Sequence, residues 1–175
     1  MPAYHPPHIY LDDTWYFVTA SIHHRHRLLQ PSGHKDLVRD QLKAMTAEFH
    51  IQLAAWVILD NHYHILVRSH VGQDLSRMFG RWHGRTAFEI NGRDDERGRQ
   101  VWHNYWDTCI RTEADYWTRF NYIHHNPVKH GYVGRMEDWP FSSYCYYRDH
   151  EGNAWLSDAF ERFPIVDFTD PDDDF

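Results

Sequence analysis

Cysteine is nearly missing from this chain. Cys109 and Cys145 are its only two, too few for a disulfide-stapled scaffold or a four-thiolate zinc site, and they point to a reducing compartment. Long hydrophobic runs are missing as well, and none approaches the roughly 20 residues that a membrane helix requires. The opening Met1-Pro-Ala-Tyr-His-Pro-Pro-His has neither the basic head nor the apolar stretch of a secretory signal. The expectation is a soluble, cytoplasmic protein with no membrane partner. Internal repeats and interdomain linkers are also lacking, and 175 residues suit one domain with a real core.

A basic excess, the usual footprint of phosphate binding, is absent too: the formal charge is −7. Its distribution weakens that exclusion. Asp167, Asp170, Asp172, Asp173 and Asp174 crowd the last ten residues, leaving the rest of the chain much closer to neutral. The expected organisation is a single domain over 1–165 followed by an acidic mobile tail over 166–175. Such a tail could compete with a polyanionic ligand for a basic face, or merely keep the protein soluble.

What the chain has in quantity is aromatic residues, 17%, and sixteen histidines. Aromatic rings fill cores and also stack on unpaired bases. Histidines gain charge beside phosphate and bind metals when neutral.

The pattern along the chain predicts strands over Trp15–Ile22, Ile51–Leu59, His62–Arg68 and, more weakly, Trp106–Arg111. Asp60-Asn61 supply a tight turn between the middle two. Helices are predicted from a Ser32 cap to Phe49, over Gln73–Ile90, and from Thr112 to a stop at Pro127, with Asp115 in the capping-box position. The order β-α-β-β-α-β-α predicts an α+β, ferredoxin-like (RRM-like) antiparallel sheet with helices on one face and an extra C-terminal helix.

Two short segments carry chemistry. In Asp60-Asn61-His62-Tyr63-His64, the histidines two apart on a strand share a face and can present two imidazoles to one metal. Alone, such a pair in a histidine-rich chain is equally a solvated sheet face. In Asn121-Tyr122-Ile123-His124-His125-Asn126-Pro127, Tyr122 and Asn126 lie one helical turn apart on one face. A tyrosine can act as a covalent nucleophile, and an asparagine carbonyl can ligate; a core tyrosine and a helix-ending Asn-Pro are the plain alternatives. His124, His125 and Lys129 sit near Tyr122 in sequence and could move a proton or hold phosphate, but surface positions are expected for all three. For DNA contact, Arg77, Arg81 and Arg85 form an i, i+4, i+8 row, and His23-His24-Arg25-His26-Arg27 forms a basic cluster after the first strand. Solvated faces explain these equally.

The blocks together resemble the HUH single-strand transposases that use one tyrosine (the IS200-like transposases), specifically the REP-associated tyrosine transposases. The resemblance rests on Trp15-Tyr16-Phe17-Val18-Thr19, on Trp56 to Val67, on Trp102 to Ile110, on Tyr122 to Gly131 and on Trp139-Pro140-Phe141-Ser142-Ser143, in family order. It implies Tyr122 as nucleophile, His62 and His64 as metal ligands, and Asn126 as a third ligand where related proteins often carry glutamine. It implies a divalent ion, magnesium or manganese, and single-stranded DNA with a hairpin of the REP type as substrate. Cleavage would leave a 5′-phosphotyrosine and a free 3′-hydroxyl able to reverse the step. Arg25, Arg27, Arg77, Arg81, Arg85 and Lys129 are the candidate DNA contacts, and a monomer is expected over a dimer. A domesticated hairpin-binding protein without cleavage is the alternative.

Overall fold

The computed structural model describes residues 8–166; all of the acidic tail except Val166 lies outside them. Its elements run β1 (Thr14–Ile22), α1 (Ser32–Glu48), β2 (Gln52–Ile58), β3 (His62–Ser69), α2 (Gly72–Arg93), β4 (Trp102–Cys109), α3 (Glu113–Lys129), α4 (Tyr144–His150) and α5 (Asn153–Arg162). The four strands form one antiparallel sheet in the order β2-β3-β1-β4. This is the expected ferredoxin-like α+β arrangement.

Period-two alternation divides the strands between two cores. Tyr16, Val18, Ala20 and Ile22 of β1, with Tyr63, Ile65 and Val67 of β3, face α1 and α2. Those helices answer with Leu37, Val38, Leu42 and Met45, and with Leu75, Met78, Phe79, Trp82 and Ile90, all at helical spacing. On the opposite face Phe17, Val57 and Leu66 pack against Phe120, Tyr122 and Ile123 of α3 and Leu156 of α5. Gly72 starts α2 where a Cβ would fall 2.2 Å from the carbonyl oxygen of Tyr10. Only glycine admits that crossing of the N-terminal segment.

Several boundaries depart from the sequence expectation. Ser32 does not cap α1; it is the first helical residue, after Pro31, and makes no side-chain cap. Thr112 does cap α3, its Oγ1 accepting the backbone N–H of Asp115 at 3.1 Å. Strand β4 begins at Trp102, four residues earlier than its β-branched and aromatic content indicated, because Trp102 pairs with Ile22 across a register shift that takes in the polar residues His103 and Asn104. Pro127 does not end α3, which continues to Lys129. A proline removes one donor, and within the last helical turn that loss is small beside the tertiary packing.

Helices α4 and α5 had no counterpart in the sequence reading. The segment before α4 protects the outer edge of β2. Ile58 donates its N–H to the Phe141 carbonyl, Ser143 donates to the Trp56 carbonyl, and the Ser143 hydroxyl accepts from the Trp56 N–H at 3.0 Å. The edge strand is thereby covered instead of left as a template for association. No helix among the described residues is long and apolar enough to cross a membrane.

Candidate active site

The Asp60-Asn61 turn delivers His62 to the start of β3. Buried Asp60 anchors it through Lys35 Nζ at 2.6 Å and Arg27 at 2.5 Å, and its carbonyl accepts from the Leu29 N–H. The structure thus assigns Asp60 a positioning part beyond that of a turn residue. From there alternation puts His62 and His64 on the α3 side of the sheet, both buried, with ring centroids 5.0 Å apart.

Each imidazole is oriented by one nitrogen. Asn61 Nδ2 donates to the Arg25 carbonyl at 3.5 Å, turning its Oδ1 to His62 Nδ1 at 2.7 Å. An amide oxygen only accepts, and both ring nitrogens of His62 face one, so the neutral ring donates to Asn61 or to Asn126 according to its tautomer. Nε2 lies 3.3 Å from the side-chain carbonyl oxygen of Asn126. Burial, then the neighbouring His64, holds the His62 pKa well below its usual range, so the ring stays neutral. His64 Nδ1 meets the Thr19 hydroxyl at 2.7 Å on the adjacent strand. Contacts of this kind at one ring nitrogen are how metal-binding histidines are commonly oriented.

Tyr122, only 1% exposed, packs between His64 (ring centroids 5.5 Å) and Phe17 (6.0 Å). Asn126 follows one turn later on the same face. Because α3 runs past Pro127, Lys129 returns to this face nearly two turns beyond Tyr122. Its Nζ donates to the Tyr122 hydroxyl at 3.2 Å and lies 5.0 Å from the ring centre. His130 stands 5.2 Å from His62, its pKa lowered to about 4 by burial and then by Lys129 and His64.

The donor set fits a divalent ion. Adjacent donors on an octahedral ion bound at about 2.0–2.1 Å stand about 3 Å apart, close to the separation of His62 Nε2 and Asn126 Oδ1. Among the described residues no group of three His, Cys, Asp or Glu could hold a metal; beside His62, the amide oxygen of Asn126 is the further donor that the structure brings within reach.

The other candidates separate sharply. Arg25 and Arg27 occupy the loop after β1, beside the turn that carries His62; Arg27 is bound to Asp60 and lies 5.8 Å from the Tyr132 ring. Arg77, Arg81 and Arg85 are exposed on α2, in the layer across the sheet from Tyr122, with Arg77 bound to Asp74 and Arg81 to Glu48. His124 is a correction. Its surface position was the expectation, yet it is fully buried, its Nε2 2.7 Å from the Ser143 hydroxyl and its pKa lowered to about 3 by burial. It joins α3 to the strip that covers β2, a role invisible without α4. His125 is partly buried and Lys129 exposed. Thr19, Asn61 and His130 join the site without having been singled out; only Asn61, adjacent to His62, had a signal to find it by.

The family model described as "Transposase IS200 like" matches residues 11–126, from the strap before β1 to Asn126 itself. The chain belongs to the IS200-like transposase family. It is 29% identical over 134 residues to the REP-associated tyrosine transposase of Escherichia coli K12, covering 75% of this chain and 76% of that protein. A solved structure of a REP-associated tyrosine transposase bound to a REP hairpin superposes with a TM-score of 0.69 at 25% identity, covering 95% of this chain and 94% of the other. That structure includes the C-terminal region beyond the family match.

Proposed function

We propose that this transposase cuts and rejoins single-stranded DNA beside a hairpin through a covalent link to Tyr122. The observation that supports the reading is the convergence of His62, His64 and Asn126 around one face of α3, with the Tyr122 hydroxyl held by Lys129. The hairpin as partner follows from the kinship with REP-associated transposases.

A divalent ion, magnesium or manganese, held by His62, His64 and Asn126, would supply Lewis-acid stabilisation of charge on the scissile phosphate. All three ligands are neutral, which leaves the ion's charge undiminished for the phosphate. Tyr122 Oη attacks phosphorus, the bond to the 3′ oxygen breaks, and the DNA keeps its 5′ phosphate as an ester of Tyr122. The phenol proton leaves as the leaving 3′ oxygen gains one, and the ammonium of Lys129 stabilises the phenolate as it forms. The reverse attack by a 3′-hydroxyl restores the strand without an external energy source.

The test is a labelled REP-type hairpin with single-stranded flanks, incubated with manganese or with chelator and run on a denaturing gel. The expected result is a DNA-linked protein band that requires metal and disappears in Tyr122→Phe and His62→Ala. Binding without any adduct in the native protein would leave a hairpin-binding protein that does not cut.

A further inference from the structure

The face of the sheet that carries His64 is covered unequally. Helix α3 packs on β2 and β3 and covers Phe17 of β1 with Tyr122 and Arg119, while among the described residues the β4 side chains on this face, Trp106 and Thr108, stand exposed. Cross-strand register identifies what this side presents. Thr19 stands opposite His64 on one side and opposite Trp106 on the other, and Phe17 stands opposite Leu66 and Thr108. Directly opposed residues of antiparallel strands project to the same face. Trp106 therefore shares one row and one face with His64, with Thr19 between them, at two strand spacings or about 10 Å.

Trp106 is 38% exposed, among the few large apolar side chains of the chain left in solvent. Its neighbours on this face of β4, Asn104 and Thr108, are exposed as well. Among the described residues its ring stacks on no other and its indole N–H makes no hydrogen bond. Over the buried Phe17, the Arg119 guanidinium lies 4.7 Å from the ring centre, one turn before Tyr122 on α3, and pairs with Asp115 at 3.4 Å. The same strip continues past Phe17 into a hollow of about 370 Å³ lined by Trp15, Ile110 and Tyr116 among others. A flat aromatic face, polar neighbours and a cation on the opposite wall make up a platform for an unpaired base with its phosphate.

We propose that Trp106 stacks on an unpaired base of the DNA strand adjoining the bond that Tyr122 attacks, and that the exposed face of β4 is the track for that single strand. The proposal rests on the function proposed above and adds to it the place where the unpaired segment lies. A single nucleotide bridges the distance from His64 to Trp106, so the stacked base would hold the scissile phosphate in register.

The experiment measures binding on a Tyr122→Phe background, which prevents turnover, with two probes: a blunt REP-type hairpin and the same hairpin with unpaired flanks. Trp106→Ala is expected to weaken binding of the flanked hairpin by about 5- to 150-fold, the range of one lost base stack, and to leave the blunt hairpin unchanged. Trp106→Phe should recover most of the loss. An abasic site walked through the flanks should find one position at which Trp106→Ala has no further effect. Equal loss for both probes, or no loss for the flanked one, would overturn the proposal. Failure of the parent protein to bind either probe would instead sink the functional reading itself.

Discussion

The two faces of β3 are built from alternate residues of one eight-residue strand, and they do different things. Tyr63, Ile65 and Val67 enter an apolar layer that α1 and α2 close with Leu42, Phe79 and Trp82. His62 and His64 enter the other layer, where Phe17, Leu66 and Ile123 surround a polar centre of Thr19, Asn126 and Tyr122. Two buried polar groups on the first face pair within the core: Tyr63 Oη meets His83 at 2.7 Å, and the Trp102 indole donates to Thr86. On the second face His62 turns Nε2 to the Asn126 carbonyl, and Lys129 holds the Tyr122 hydroxyl. One layer supplies rigidity, and the other spends part of it on holding imidazoles and an amide where apolar side chains would pack better.

Substitutions on the two faces should therefore fail differently. The largest effects come from the adjacent pair His62 and Tyr63. His62→Ala is expected to abolish the metal-dependent adduct while the protein remains folded. Tyr63→Ala should cost about 3–5 kcal/mol of stability, as truncations of large core aromatics do, measured by urea unfolding monitored by circular dichroism. If His62→Ala unfolds the protein as far as Tyr63→Ala does, the division of labour between the faces is wrong.

Acid should next expose a weakness common to both faces. His83 lies on the first face and His124 on the second, and burial lowers each pKa to about 3. The unfolded chain, with histidines near 6.5, binds more protons than the folded one between about pH 3 and 6.5. Stability is thus full above 6.5 and falls as pH drops toward 3, by up to about 1.4 kcal/mol per pH unit for each group. Urea midpoints between pH 7.5 and 5 measure this, and His124→Gln should flatten the slope without removing it. An unchanged slope would mean that His124 is solvated in the folded protein.

A smaller, purely chemical effect is expected at the rim of the second face. Lys129→Met should slow single-turnover adduct formation by about tenfold, the low end for a lost hydrogen bond to a charged group given the exposure of Lys129. Urea midpoints should barely move. Smallest of all, Ser143→Ala should cost about 1 kcal/mol by releasing the hydroxyl that joins Trp56, His124 and the edge strip. Adduct formation should persist, because no group that touches the DNA is lost.

Much of the fold was legible because period alone carried it. The alternation in His62–Arg68 and the helical spacing around Leu37 and Leu42 specify which way side chains turn without reference to a partner. The capping signal at Thr112 is likewise local, and it held. Pro127 misled for the same reason: its local rule ends a helix, whereas packing of α3 on the sheet carried the helix through. That error hid the alignment of Lys129 with Tyr122, since the alignment needs two further residues of helix. The surface reading of His124 failed because the element that buries it, the strip leading into α4, has no strong period of its own.

By itself, then, the order of residues determined which side chains share a face: His62 with His64 on a strand, Tyr122 with Asn126 on a helix. Alternation and helical pitch are properties of the backbone, and they act at short range. Tertiary structure decided what faces what. It set His62 Nε2 against the Asn126 carbonyl and Lys129 against the Tyr122 hydroxyl, placed the Arg77–Arg85 row on the far layer, and left Trp106 bare beside Thr19. Those are consequences of strand order and helix docking, which depend on long-range burial of apolar surface and have no local signature.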